Sequence, residues 1–359
     1  MKYFISLLTI ALTISSLNGQ VGLADYQQTC YCNLGQIHPK SIIKLDNNWE
    51  ILKAMTMGCT LQKLDTLRIS YTKSQIRLLQ LCNLIRNQNG TYYTLFPILE
   101  KQETDKLRKE SKGIAEVILP FIEPDILTLK DNLKEIGCEQ NTYSILFSYV
   151  LDGLIWNIFE KHKLVDSLVI TTEKPMWSGY FWAMTPKYPF ISGTNEYSDD
   201  NCYALHINWS DAGGAVMDSI LGKSEYLYAM MEEYKKHKKV KQDSIIHNLK
   251  NYKVLDNRGN IKIPIILENS QNRIYQLSLT ISEKMYAKFI CTTDVTEITK
   301  ACKFSNNTES TVILWHEVMR ALLKAIEEKE IIKKPVIFSD PEKANLENAN
   351  ELMFITTKG

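Results

Sequence analysis

The sequence has almost no excess charge of either sign, since 42 Lys and Arg residues stand against 41 Asp and Glu residues in a chain of 359. This balance excludes a global electrostatic field that would draw the whole protein onto nucleic acid or an anionic membrane. Cysteine is sparse, with eight residues in the chain, which excludes a fold that depends on a dense disulfide framework. The 45% hydrophobic content indicates a globular chain long enough for two or three cores.

Complete catalytic and cofactor motifs are also missing. The chain has no Gly-x-Ser-x-Gly elbow, phosphate-binding glycine loop or dinucleotide fingerprint. In the segment WHEVMR, His316 and Glu317 begin the HExxH zinc pattern, but Arg320 stands where the second His is required. The sequence therefore predicts no cofactor and no metal site, and it favours a protein that is not an enzyme. His316 and Glu317 are expected to face solvent or to cap a neighbouring element.

A long apolar run occurs at the amino terminus. Lys2 precedes an uncharged apolar segment that small residues follow, which is the order of a secretory signal peptide. We predict a signal peptide over residues 1–24 and a secreted or periplasmic mature chain. No later segment offers about twenty uninterrupted apolar residues, since even residues 143–159 contain Asp152 and Asn157. That segment is predicted to be a buried helix, and the mature chain is predicted to lack a membrane span.

In an oxidising compartment the eight cysteines are expected to form one or two disulfides at most. Cys59 and Cys82 lie at apolar helical positions, where a free buried thiol is expected. The sequence does not choose a connectivity for the others.

Two stretches that begin at Leu81 and Asn251 share one order of features. The first is LCNLIRNQNGTYYTLFPILE and the second is NYKVLDNRGNIKIPIILE. Each joins a helical ending to a turn with Asn and Gly, a short strand, and then Pro with aliphatic residues and Glu. A weaker third copy ends at Pro335 and lacks the glycine turn. The recurrence predicts similar structural units, with Gly90 and Gly259 in equivalent turns.

The first stretch and the helical patterns before it resemble winged helix-turn-helix domains. WEILKAMTMG and TLQKLDTLRI correspond to the first two helices, and TKSQIRLLQLCNLIRNQNGTYYTLFPI corresponds to the recognition helix and wing. The resemblance covers about residues 49–100 and is repeated at residues 225–268. It implies DNA binding through Lys73 and Arg77. The charge balance and the predicted export oppose that role, so a nucleic-acid partner is not favoured.

The whole pattern predicts a mixed α+β fold in which winged-helix-like units flank an aromatic-rich, strand-containing middle region. After the signal peptide we expect a winged-helix-like unit at 25–105 and a helical segment at 106–165 that is interrupted near Pro120 and Pro124. An aromatic-rich region of strands and loops should follow at 166–212, then a second winged-helix-like unit with C-terminal helices at 213–359. Alternation in IYQLSLTI, residues 274–281, predicts a half-buried strand.

Candidate site residues cluster in the middle region. Flat rings presented on loops stack on sugars, peptides or partner side chains, and on this basis the predicted ligand-binding residues are Trp177, Tyr180, Trp182 and Trp209. The candidate catalytic residues are the carboxylates Glu196, Asp199 and Asp211, which could act as a hydrolytic pair if their separation allows it. The oxygen-rich residues of the segment 195–201 could alternatively bind calcium, although a solvated loop is favoured.

The sequence thus favours an extracytoplasmic, non-enzymatic binding or assembly protein whose partner is a protein, a peptide or a glycan. Two alternatives stay open. One is a secreted hydrolase that uses carboxylates between Glu196 and Asp211. The other is a winged-helix DNA-binding protein, which applies if the amino-terminal segment is not a signal peptide.

Overall fold

A computed structural model describes residues 22–199, 203–338, 340, 343 and 345–358. Of the described residues, 55% are helical and 16% lie in strands, so the α+β prediction is confirmed. The predicted signal peptide falls almost entirely outside the described residues, as do Asp200 and Asn201. Within the described ranges, no helix is both long and apolar enough to cross a bilayer.

The first half of the described chain consists of β1 (Gln27–Leu34), α1 (Pro39–Ile43), α2 (Asn48–Ala54), α3 (Leu61–Thr66), α4 (Lys73–Leu81), β2 (Ile85–Gln88), β3 (Thr91–Thr94), β4 (Ile98–Leu99), α5 (Lys101–Glu135), α6 (Thr142–Ser144), a π-helix (Ile145–Leu154), α7 (Ile155–Lys161) and β5 (Trp177–Met184). Three helices and a hairpin, α2 to β3, lie where the sequence predicts them. Thr72 and Gln75 form a capping box at the start of α4, which is a local signal. Lys73 and Arg77 are exposed on α4, and DNA binding by this helix stays the alternative that the sequence does not favour.

The second half consists of β6 (Ser192–Asp199), β7 (Tyr203–Ser210), α8 (Gly214–Leu221), α9 (Ser224–His237), α10 (Asp243–Leu249), β8 (Ile265–Glu268), α11 (Arg273–Thr292), α12 (Val295–Ala301), α13 (Asn307–Glu328) and β9 (Met353–Lys358). The predicted middle region 166–212 is divided between two sheets, because β5 joins β1 and β4 while β6 and β7 join β8 and β9.

The two halves repeat one strand arrangement. In the first, β5 pairs antiparallel with β1 and parallel with β4. In the second, β9 pairs antiparallel with β7 and parallel with β8, and β6 adds an edge strand on β7. Pro97 and Pro264 precede the two parallel strands, and their carbonyl oxygens accept hydrogen bonds from Ala183 N (3.0 Å) and Ile355 N (2.9 Å). The recurring Pro and aliphatic segment is therefore an edge strand, a position that tolerates proline.

The two glycine turns are not alike in detail. Asn89 and Gly90 both have positive φ and close the two-residue turn between β2 and β3. Gly259 also has positive φ, but its turn joins a single bridge between Leu255 and Ile261. At the third copy, the residues after Pro335 form a 3-10 turn, Val336–Phe338, and not a strand.

Substituting each glycine with Ala should distinguish the two turns by the loss in the free energy of unfolding. A Cβ at Gly259 would lie 1.9 Å from the carbonyl oxygen of Val240, whereas a Cβ at Gly90 meets nothing within 4 Å. We expect Gly90→Ala to cost about 1 kcal/mol through its left-handed backbone alone, and Gly259→Ala to cost about 3 kcal/mol or more. Urea unfolding followed by circular dichroism measures both values. Equal losses would contradict this account.

Two long helices correct the sequence predictions. α5 runs without a break through Pro120 and Pro124. Both prolines lie on its exposed side, where water can solvate the carbonyls that lose their donors. Residues 274–281 are part of α11 and not a strand. Ile274, Ile281 and Phe289 are buried along one face of this helix, and α11 packs against α5.

The helices and β5 pack around two hydrophobic cores. The smaller core packs α1 to α4 against Trp177 and Phe181 of β5, and the larger core contains α5, the π-helix, α11 and α13. Trp182 and Met184, also on β5, belong to the larger core. Both faces of β5 are therefore buried.

Candidate functional site

The structure places the predicted ligand-binding aromatics mainly in the cores. Trp177 is 7% exposed, and its indole N–H donates to the Cys82 carbonyl at 2.7 Å. Trp182 is fully buried. Tyr180 donates its hydroxyl proton to Asp166 at 2.9 Å, and Trp209 is half-buried against the larger core. This corrects the expectation for Trp177 and Trp182. Trp177 is buried in the smaller core on one face of β5 and Trp182 in the larger core on the other, so neither ring presents a surface to an external ligand.

The three predicted carboxylates do not form one site. Glu196 lies in the middle of β6, opposite His206 on β7. Asp211 follows the end of β7, roughly 16 Å of extended strand beyond His206, and its Oδ1 accepts a hydrogen bond from Ile191 N at 2.7 Å. Asp199 ends β6, and its side chain is outside the described set. Glu196 and Asp211 are thus too far apart for a hydrolytic pair, which needs about 5–9.5 Å.

The described part of the calcium hypothesis, which is the pair Asn195 and Glu196, is corrected, while Asp200 and Asn201 lie outside the described residues. Asn195 and Glu196 are neighbours within β6, so their side chains point to opposite faces of the sheet and cannot converge on one ion. Among the described residues, no group of three His, Cys, Asp or Glu side chains could hold a metal ion.

A polar cleft of about 320 Å³ lies between the π-helix and one face of the second sheet. The polar lining side chains come from both walls and include Asp152, Thr194, Glu196, His206, Glu268 and Thr356. On the sheet wall, Thr194, Glu196 and Ser198 alternate along β6 and therefore share one face. Residues of the other face, such as Leu205 and Ile355, are buried. The amphipathic strands thus turn their polar side toward the cleft.

The helical wall is wider than an α-helix. Over Ile145–Leu154 the chain forms a π-helix, and at its end Ile155 N–H donates to the carbonyl of Val150, five residues earlier. A Cβ at Gly153 would lie 2.9 Å from the Ser148 carbonyl oxygen, so glycine fits this widened turn. Such turns inside helices occur frequently at functional sites. Here the turn brings Tyr149 and Asp152 to the cleft.

Tyr149 joins the helix to the sheet. Its hydroxyl donates to Glu268 Oε1 at 2.9 Å. Burial raises the pKa of Tyr149 far above its ordinary value, and the Glu268 carboxylate raises it further. Tyr149 is therefore a neutral, fixed donor that holds the Glu268 carboxylate in place at the cleft.

Burial sets the ionisation of two other cleft residues. It raises the pKa of Asp152 to about 6, against the partly opposing hydrogen bond from Trp156, which donates at 3.0 Å. It lowers the pKa of His206 to about 4. Glu196 Oε2 lies 3.8 Å from His206 Nδ1, and the Glu196 side chain is 53% exposed. Water screens so exposed a charge, so desolvation dominates and His206 is neutral at pH 7.

Behind the cleft lies a closed aromatic box around His316. Its Nδ1–H donates to the Val312 carbonyl at 2.8 Å, and its Nε2 lies 3.9 Å from Asp152 Oδ1. The ring centroids of Trp156 and Trp182 are 5.1 and 5.0 Å away. Burial lowers the pKa of His316 to about 4. The expectation that His316 faces solvent is therefore wrong, because this face of α13 packs into the larger core.

Glu317 is buried as well. Its carboxylate accepts hydrogen bonds from Arg108 Nε at 3.0 Å and from the Tyr188 hydroxyl at 2.9 Å, and it also pairs with Arg320. The segment WHEVMR thus supplies a buried ion-pair cluster.

Comparison of the chain with protein-family models, with curated proteins and with solved structures gives no match.

Sequence reasoning identified Glu196 but missed Tyr149, His206 and Glu268. One signal was present, since Asp152 and Asn157 interrupt an otherwise apolar helix, and both line the cleft.

Proposed function

We propose that this protein is an extracytoplasmic, non-enzymatic binding protein whose cleft holds a basic side chain of a peptide or protein partner. The observation that carries the proposal is the convergence of acidic groups from separate elements. Among the described residues that line the cavity, Asp152, Glu196 and Glu268 carry carboxyl groups, and Lys358 carries an amine. The cavity therefore has an excess of acceptors for a cation.

The hydrogen-bonding inventory of the cleft favours a donor-rich ligand. Carboxylates only accept, and the hydroxyl of Tyr149 is already committed to Glu268. His206, neutral at pH 7, lies with Nε2 3.0 Å from the Thr356 hydroxyl. A guanidinium group carries five donors in a planar fork and matches carboxylates well. The volume of about 320 Å³ is at the lower limit for ligand pockets, which suits one side chain.

Binding of short arginine peptides tests this function. We expect an acetylated tripeptide with central Arg to bind and to perturb the amide resonances of β6 and β8, whereas its citrulline counterpart, which keeps the shape but lacks the charge, should not bind measurably. Glu196→Gln and Glu268→Gln should each weaken binding about tenfold, because each removes a charge-assisted hydrogen bond. Titration by NMR gives the affinities.

Glu173→Gln is the matched control, since Glu173 is exposed and does not line the cavity. It should leave the affinity unchanged. Equal binding of the Arg and citrulline peptides, or binding of neutral oligosaccharides at the same residues, would overturn the choice of a basic ligand.

A hydrolase is the second candidate function, and the ionisation of Asp152 favours it. A carboxyl group whose pKa is raised to about 6 by burial can donate a proton near neutral pH, and Glu196 lines the same cavity. This pair replaces the predicted pair with Asp211. Turnover of a panel of aryl glycosides and esters by the full chain that is lost in Asp152→Asn, and kept in the control Glu173→Gln, would establish it.

A further inference from the structure

A second cluster of reactive side chains lies on β1 and α1, outside the lining of the cleft. Cys30 and Cys32 are two residues apart on β1 and therefore share one face of this edge strand. Both are partly exposed, and neither is in a disulfide. His38 Nε2 lies 3.5 Å from Cys30 Sγ. Opposite Cys32 on β5 is Gly179, which has no side chain to cover the neighbouring thiol.

The backbone fixes the tautomer of His38. As the residue that caps α1, His38 accepts a hydrogen bond at Nδ1 from Lys40 N, at 3.1 Å. Nδ1 must then carry a lone pair, so the neutral ring has its proton on Nε2. That proton points at Cys30 Sγ. His38 is therefore a fixed hydrogen-bond donor to the sulfur, which favours the thiolate form of Cys30.

The neighbouring thiol, imidazole and ammonium groups also favour the Cys30 thiolate. The Cys32 thiol and then His38 lower the pKa of Cys30 to about 5 against the opposing effect of burial, and Lys40 on α1 adds an attractive charge. The Asp152 carboxyl group, on the π-helix, lies within electrostatic reach of Cys30, and its negative charge opposes the thiolate. The pKa of Cys32 is raised because its proton is held by Cys30. By contrast, burial raises the pKa of the four buried cysteines, which are Cys59, Cys82, Cys138 and Cys302.

We propose that Cys30 and Cys32 form a disulfide-exchange site that reacts with an accessible disulfide of another molecule. The Cys30 thiolate attacks one sulfur of that disulfide, whose S–S bond breaks and releases one external thiolate. Cys32 then gives its proton to the released thiolate, and its own sulfur attacks Cys30 Sγ. The second external thiolate leaves, and a Cys30–Cys32 disulfide forms. Two electrons pass from the dithiol to the external disulfide.

The strand geometry makes this exchange reversible. Two residues of an extended strand span about 6.6 Å between Cα atoms, near the upper limit for a disulfide. A bridge in this position is easily reduced. Stabilisation of the Cys30 thiolate also favours the reduced form. The oxidised pair should accordingly pass its disulfide back to external thiols.

Reaction of the reduced full chain with 5,5′-dithiobis(2-nitrobenzoic acid), an aryl disulfide that releases a coloured thiolate, tests the proposal. We expect a rapid phase that releases two thiolates per protein. The pH dependence of its rate should give an apparent pKa well below that of an ordinary cysteine thiol, which is about 8.5. Cys30→Ser should abolish the rapid phase. Cys32→Ser should keep it but release one thiolate, and mass spectrometry should find the mixed disulfide on Cys30.

His38→Asn keeps a residue that can cap α1 but removes the Nε2 donor. It should slow the rapid phase about tenfold at pH 6 and raise its apparent pKa, a change that a purely structural role would not produce. Cys291→Ser, which removes an exposed thiol, is the control and should leave the rapid phase intact. The proposal is overturned if Cys30→Ser retains the rapid phase, if Cys32→Ser still releases two thiolates, or if the rate of the otherwise intact His38→Asn protein is unchanged.

Discussion

Replacing Glu317 with Gln is expected to lower the free energy of unfolding by about 3–5 kcal/mol. The carboxylate is fully buried, with a side-chain exposure of 0%, while Arg108 and Arg320 on either side of it are 19% and 21% exposed. Gln keeps the size of the side chain but removes its charge, which leaves two guanidinium groups without their counter-ion. Arg108 is further held by the Pro186 carbonyl at 2.8 Å, so it cannot easily turn to solvent. Guanidinium chloride unfolding at pH 7 measures the loss.

Glu328→Gln supplies the control on the same helix. Glu328 pairs with Lys324 at 3.6 Å, and both side chains are mostly exposed, so its substitution should change the free energy of unfolding by less than about 0.5 kcal/mol. If the two variants were equally stable, the Glu317 cluster would have to be more hydrated than its geometry indicates.

Acidification is expected to destabilise the protein through His206 and His316. Burial lowers the pKa of each to about 4, whereas the unfolded chain has a His pKa near 6.5. Between these values the unfolded state binds more protons, so stability is present above about pH 6.5 and is lost as the pH falls toward 4. Each His contributes about 3 kcal/mol to this loss. Asp152, whose pKa is raised to about 6, acts in the opposite direction and offsets about one His.

His206→Gln isolates one of these contributions. The difference in unfolding free energy between about pH 7 and about pH 4 should be smaller in this variant by about 3 kcal/mol. His237→Gln, at an exposed position, should leave the pH dependence as it is in the parent. An NMR titration that placed the pKa of His206 at or above 6.5 would mean that attraction to Glu196 outweighs burial.

Elements with local signals could be predicted from the sequence. The helical spacing of apolar residues in α4 and the Asn and Gly turn at Gly90 are local signals, so α4 and the first hairpin were located correctly. Residues 274–281 show the opposite case. Their alternation fits a strand, yet Ile274 and Ile281 also lie on one face of a helix. Burial against α5 selects the helix, and no local pattern contains that partner.

The cleft was hidden for a similar reason. Tyr149 and Glu268 are 119 residues apart, and the contact depends on a π-helix and on the parallel pairing of β8, neither of which is written in neighbouring residues. The aromatic side chains of β5 misled the sequence reasoning because β5 has two buried faces. A strand that is covered on one side only would have exposed alternate rings.

The strand pairing that recurs in both halves determines how long a strand must remain without its partner during synthesis. His206 on β7 and Thr356 on β9 are separated by 150 residues. A similar number of residues separates β1 from its partner β5. A ribosome adds about 5–20 residues per second, so β7 is synthesised on the order of ten seconds before its partner β9. During that interval its edge is unpaired and open to strands of other chains. The nascent protein should therefore depend on chaperones at the stage when β7 has emerged and β9 has not.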